Sequence, residues 1–599
     1  MTTTLPQRAD VPIEHTWDLA SVYPAAADWE ADLRVLEAEQ TTITNFAGHL
    51  TESAAQLLAW FHLMQRLQVL AGKIYSYAAM NLDVDTSNQV AAGLRERAIS
   101  AITSVYAAGA FAEPELLAAG QERLDALVAA EPELALYRHY LDNLLRRGPH
   151  VRSGEVEQLL ARATEPLSAA ATAYQMLAEG DLPFAAALDQ AGTPHEVTSG
   201  VIDELLQSPD RTLRRNAWVN FQDGFLAFKN TIGAIYAGSV KGDVFQARAR
   251  NYASSLAASL HDNNIPRSVY TNVIDACNRH LPIWHRYWDV RRRALGLEHM
   301  EACDIWAPLG KPQTIDYQRS VDLICSGIAV LGEEYLSVSR AGLTNERWVD
   351  IYPNQGKTSG AYSGGSYRSK PFILMNYENS LSSTSTLAHE LGHSMHSWLT
   401  NHNQPPIYAD YSLFVAEVAS NFNQALVRGH LLRQQPERDF ELAILEEAMN
   451  NFHRYLFLMP ILSQFELRAH ELVEEGEALT ADVMTSMLAE LFARGYGPAV
   501  KVDPARDGIV WAQFPHLYAS FYVYQYASGI AAANALADGV LHGEPGASER
   551  YLRFLRTGSS CYPLEALQIA GIDMATPAAL DRAFGVLNGF VERLERLVG

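Results

Sequence analysis

The chain has 599 residues, of which 48% are hydrophobic and 19% charged, and its net charge is −23. The length allows several domain-sized units and a large core. The acidity excludes general nucleic-acid binding, which needs a basic surface, and favours solubility. The four cysteines, Cys277, Cys303, Cys325 and Cys561, form no C-x-x-C pair. This excludes a cysteine zinc site and a disulfide framework, and it fits a reducing compartment. The opening stretch MTTTLPQRADVPIEHTWDLA has no apolar segment with a cleavage pattern, so no signal peptide is expected. The longest weakly polar run, 99–112, is too short to span a bilayer. The expectation is a soluble cytoplasmic protein with no nucleic-acid or membrane partner. Its oligomeric state stays open.

In chain order, most of the sequence predicts helix. Apolar residues recur at three- and four-residue spacing over 54–80, 89–111, 155–178, 202–237, 268–295 and 441–474. Strong helix formers dominate these stretches. Short turn signals separate them, such as RRGPH at 146–150 and SPD at 208–210. No fixed-period repeat points to a solenoid. The segment 349–377 differs, being rich in Gly, Ser and Tyr before PFILMNY. It lacks the spacing of a nucleotide-binding loop. Its glycine-rich part predicts a loop over a cleft. Pro371 predicts a strand starting near Phe372, hence a small β-sheet beside the helix that follows. That strand is expected to hold a peptide in extended form by main-chain pairing.

The next helix carries LAHELGHSMHSWL, 387–399, after a run of N-cap residues, SLSSTST. At about 100° per residue, Leu387, Leu391, Met395 and Trp398 fall on one face, and His389, His393 and His396 on roughly the opposite one. His389 and His393 are four apart and stack one turn from each other. Two imidazoles so placed can share one ion at about 2.0–2.1 Å. Glu390, at the edge of that face, is placed to act on water rather than bind the ion. This is the H-E-x-x-H pattern of zinc peptidases. His396 lies about 10 Å along the axis from His389, so it is expected to support a ligand or be structural rather than bind the ion itself. A catalytic zinc usually takes a third protein ligand. The best candidate is Glu417 in LFVAEVASNFNQAL, an amphipathic stretch with Phe414, Val415, Val418, Phe422 and Leu426 on its apolar side. Asn421 and Gln424 share the stripe of Glu417 and are placed to orient a ligating histidine.

These segments resemble oligoendopeptidase F, of the thimet-oligopeptidase-like family of zinc metallopeptidases. TLAHELGHSMHS and FVAEVAS carry most of the likeness, supported by GKTSGAYSGG, PFILMNY and FPHLYASFYVYQYASG (514–529). Weaker matches at SPDRTLRRNAW (208–218), DIWAPL (304–309) and CYPLEALQIAGIDM (561–574) spread it over most of the chain. The resemblance implies a mainly α fold in which two helical lobes enclose a deep channel. Residues 1–195 would form an N-terminal helical lobe and 196–599 the catalytic zinc metallopeptidase domain. It implies one Zn2+ per chain on His389, His393 and Glu417, with Glu390 as general base. His516 and Tyr524 would bind substrate and stabilise the transition state, and Tyr518 and Tyr522 would contact substrate. The implied activity is endopeptidase cleavage of short unstructured oligopeptides inside the cell. A thimet-type enzyme or dipeptidyl carboxypeptidase is the rival within the class. A catalytically silent helical peptide-binding protein is the rival outside it, and the intact His389, Glu390, His393 and Glu417 stand against it.

Overall fold

A computed structural model describes residues 5–599. About 70% of it is helical and its sheets are small, as the periodicity predicts. The helices 54–80, 89–111 and 155–178 appear as Ala54–Asp83, Gln89–Ala108 and Gly154–Met176. The first two are capped by side chains: Ser53 accepts the Gln56 N–H, and Asn88 those of Val90 and Ala91. Longer expected helices are divided into shorter ones. The 202–237 stretch becomes Ile202–Leu206, Arg211–Ala227 and Lys229–Ala249, with Ser208-Pro209-Asp210 ending the first and Asp210 capping the second. The 268–295 stretch divides into Arg267–Arg279 and Leu281–Ala294, and Pro282 sits in the first turn of the latter. In 441–474, a π-helical turn, His453–Leu458, separates Arg438–Phe452 from Met459–Glu475.

Two compact units result, each made of three separate stretches. The first holds Met1–Pro149, Thr314–Leu431 and Gly539–Gly571; the second holds His150–Gln313, Leu432–Asp538 and Ile572–Gly599. The division expected at residue 195 falls inside the second unit.

In the first unit, N-terminal helices bury Trp29, Leu33, Leu57 and Ile74 in a core that also takes in Phe372 and Leu374. Those two belong to a three-stranded sheet of β1 (Val349–Asp350), β2 (Tyr362–Gly364) and β3 (Phe372–Leu374). The expected strand start at Phe372 is correct, but its expected role is not. β3 is central, with β1 parallel on one side (Val349 opposite Ile373) and β2 antiparallel on the other (Ser363 opposite Ile373). Its ladder groups are therefore taken, and it has no edge to offer a peptide. The outer side of β1 is covered by the N-terminal segment, where the His15 carbonyl accepts the Ile351 N–H at 3.0 Å. The other outer strand of the sheet is β2. The glycine-rich segment is not a free loop either. Lys357 is paired with Asp350 at 2.7 Å, both side chains wholly buried, and Arg8 pairs with the other oxygen of Asp350 at 2.6 Å. Burial lowers the Lys357 pKa while Asp350 opposes the shift. This ion cluster pins the segment that leads into β2.

In the second unit, Asp304 is fully buried and joins two arginines, Arg211 at 2.8 Å and Arg214 at 3.1 Å. These lie in the SPDRTLRRNAW and DIWAPL segments, so both stretches earn their place by tying helix Arg211–Ala227 to the turn at Ala302–Asp304. No helix among the described residues is long and apolar enough to cross a membrane.

Candidate active site

The motif helix, Leu381–Asn403, starts where Ser380 accepts the Ser383 N–H. Leu387, Leu391 and Met395 are fully buried, as the 3.6-residue period requires. His396 is structural, as expected, but not on a polar face. It is buried too, its ring stacked on Tyr411 at 3.7 Å and 5.3 Å from Phe554. Burial pushes its pKa down to about 3, so it packs as a neutral ring. Helix Ala547–Leu555, far along the chain, supplies that cover.

The ligand helix, Leu413–Arg433, crosses the motif helix at Gly392. A Cβ at Gly392 would lie 2.4 Å from the Ala419 carbonyl oxygen and 2.6 Å from the Ser420 Cα. Only glycine allows the two backbones this close. The contact lies between His389 and His393 on one helix and just past Glu417 on the other, and it brings the three together. The ligand helix is buried on nearly every side: Val418, Phe422, Leu426, Ser420 and Asn423 are all 0% exposed.

The facing atoms form a compact donor set. His389 Nε2 is 3.4 Å from Glu417 Oε2, and His393 Nε2 is 3.9 Å from Glu417 Oε1. All three ligand atoms lie within 4.8 Å of one another. Two ligands of one zinc ion, each about 2.0–2.2 Å from it, are at most about 4.4 Å apart, so the set fits a small divalent ion with little adjustment. Two imidazoles and one carboxylate also suit zinc chemically. Burial, with His389 adding to it, pushes His393 down to about 4. It is therefore neutral near pH 7, the form a metal ligand needs.

Surrounding groups orient the donors. The Gln424 Oε1 lies 3.1 Å from His389 Nδ1, and Gln424 Nε2 donates to Ser385 Oγ at 2.8 Å. The amide is thus fixed with its oxygen toward the ring, which places the proton on Nδ1 and turns the Nε2 lone pair to Glu417. Asn421 Nδ2 donates to the Glu417 carbonyl at 2.8 Å and lies 3.4 Å from its carboxylate; Ser420 Oγ donates to that carboxylate at 3.0 Å. Substituting Gln424 with Leu keeps the volume and removes the ring's acceptor. Metal affinity should fall about 10- to 100-fold, measured by competition with a chromogenic chelator. An unchanged affinity would show that Gln424 does not orient His389.

Glu390 is 6% exposed. Burial pushes its carboxyl up to about 7, opposed by His389, reinforced by Glu417 and opposed again by the Ser363 N–H. Ser363 belongs to β2, and its hydroxyl also meets Ser394 of the motif helix at 2.8 Å. The sheet therefore stands beside this helix, as expected. Sequence reasoning missed Gly392, Ser363 and Tyr411. The glycine inside H-E-L-G-H was the one available signal, since glycine within a helix calls for a packing reason.

The other expected site residues lie in the second unit. His516 is half-buried, its ring parallel to that of Tyr522 at 6.1 Å, and Tyr522 and Tyr526 meet through their hydroxyls at 2.9 Å. Tyr524 is 2% exposed, 5.0 Å from Tyr270, and burial raises its pKa. Tyr518 stacks on Tyr174 at 4.5 Å and meets Tyr236 edge-on at 5.6 Å. The structure thus gathers His516 and Tyr522, and sets Tyr518 in an aromatic cluster.

Comparison with known proteins decides the family. Residues 204–586 match the profile of Peptidase family M3, and residues 115–184 that of Oligopeptidase F. The chain belongs to peptidase family M3. It is 35% identical to Oligopeptidase PepF of Bacillus subtilis (strain 168), over 99% of this chain and 89% of the relative. It is 34% identical to Group B oligopeptidase PepB of Streptococcus agalactiae, over 99% and 98%. Among solved structures, one from Chlamydophila abortus superposes with a TM-score of 0.91 at 31% identity, covering 99% of this chain and 100% of that one. As a member of the M3 family the chain is a peptidase, and its His-His-Glu group is a site that can hold a metal ion.

Proposed function

We propose that this M3 peptidase is a zinc-dependent endopeptidase of short, unstructured oligopeptides, acting in the cytoplasm. The observation that carries the proposal is the convergence of His389, His393 and Glu417 from two helices, with Glu390 buried one residue from the first ligand. The unpaired state of all four cysteines supports a reducing compartment.

His389, His393 and Glu417 would hold the ion. When bound, it supplies Lewis acidity, lowering the pKa of water toward neutrality and drawing charge from a peptide carbonyl. Glu390 takes the proton of the attacking water and later delivers it to the departing amine nitrogen. Its burial beside the first ligand, with a single backbone donor, leaves it able to take and return a proton. The Ser363 N–H steadies the charged form. β2, the outer strand beside the motif helix, is the strand a substrate main chain would extend. His516 and Tyr524 are proposed as donors to the developing oxyanion, each worth about 3 kcal/mol, with Tyr518 and Tyr522 as substrate contacts.

The test pairs a quenched-fluorescent oligopeptide with an unfolded full-length protein, before and after chelation. Cleavage of the short peptide alone, lost on chelation and restored by zinc, is the expected result. If metal-loaded protein cleaves neither, the chain is a silent peptide binder. Equal cleavage of both would sink the preference for short substrates and leave the metal site standing.

A further inference from the structure

Within the second unit, a segment runs from the short turn Pro515–Tyr518 to the helix Tyr524–Leu541. It bends at Phe521, which has φ +52° while fully buried. A bulky side chain rarely adopts this left-handed conformation, and it persists only where surroundings over-determine it. The segment contains no glycine between Pro515 and Ala527 to ease the bend.

One group holds the bend. Glu466, on helix Met459–Glu475, is 0% exposed, and its Oε1 accepts the Phe521 N–H at 2.6 Å. No lysine or arginine pairs with this carboxyl among the described residues, although the His470 charge acts on it, and its Oε2 has no hydrogen-bond partner. Burial raises its pKa to about 8. A buried carboxyl of this kind costs stability. The helix holding it is itself fixed. His470 bonds the Glu466 carbonyl through Nδ1 at 2.9 Å and meets Asp243 through Nε2 at 3.1 Å, and its ring lies 4.5 Å from that of Phe521. The Ser520 carbonyl is held by Ser259 Oγ at 3.0 Å.

We propose that Glu466 is a positioning residue of the peptidase: it clamps the Phe521 amide, and so fixes the bend that lies between His516 and Tyr524. This rests on the reading of His516 and Tyr524 given above. Glu466 touches no substrate; it acts through the main chain of Phe521.

The experiment compares Glu466→Met, which keeps the volume and loses the acceptor, with Glu466→Gln, which keeps a carbonyl acceptor. In the Met variant, kcat falls about 100-fold, the scale of an ångström-sized misplacement, while KM moves little. Amide exchange of the peptide spanning Phe521 becomes faster, and zinc affinity and melting temperature hold. In the Gln variant, both exchange protection and most of kcat are retained. The inference is overturned if the Met variant keeps wild-type kcat or wild-type protection at Phe521, or if the Gln variant is as impaired as the Met variant. Tyr524→Phe is assayed alongside. Wild-type kcat in that variant would remove Tyr524 from the mechanism, whereas amide exchange still decides whether Glu466 holds the bend.

Discussion

Glu390→Gln will lower kcat/KM for a short peptide by about 10²- to 10⁴-fold, the range of a lost acid–base group, while metal content stays at the wild-type level. The side chain is nearly isosteric, and Glu390 is not among the three facing donors. Its amide can still accept the Ser363 N–H, so the local geometry is preserved and proton transfer alone is removed. The decisive measurement is steady-state kinetics on metal-loaded protein together with metal stoichiometry. Wild-type activity in this variant would remove Glu390 from the mechanism. Loss of metal with loss of activity would instead make it part of the binding site.

Gly392→Ala should produce the other large effect, through a single methyl group. The new Cβ would sit 2.4 Å from the Ala419 carbonyl oxygen, which is ligand-helix backbone and not a side chain that can turn away. The helices must separate. Overpacking of this kind costs about 1–3 kcal/mol or more, and here the displaced helix carries Glu417. Expected together are a lowered melting temperature and zinc affinity reduced by at least about 10-fold. Calorimetric zinc titration and thermal unfolding check both. If the variant binds zinc as the wild type does, the helix crossing does not set the ligand spacing.

The sequence made the His-His-Glu group legible because its logic is local. Four-residue spacing on a helix fixes where His389 and His393 point, whatever the rest of the chain does. Glu417 was reachable because an amphipathic stripe could be read around it, and Gln424 because it shares that stripe. What sequence could not deliver depends on distant partners. His396 lies on the polar side by periodicity, yet a helix some 150 residues later covers it. β3 was located by Pro371, but its central place was hidden, because β1 and β2 have only two and three residues and leave no alternating pattern. Gly392 was visible as a glycine, while its purpose appears only when the second backbone is laid against it.

The composition of the first unit bears on how the protein is made. The helices that carry His389, His393 and Glu417 are complete by Arg433, but their cover is not: Tyr551 stacks on Phe422 at 3.6 Å, and the Leu555 carbonyl accepts from Thr400 Oγ1 at 2.9 Å. At ribosomal speeds of about 5–20 residues per second, that cover follows after on the order of ten seconds. For that interval the nascent chain carries apolar helix faces that ask for a chaperone.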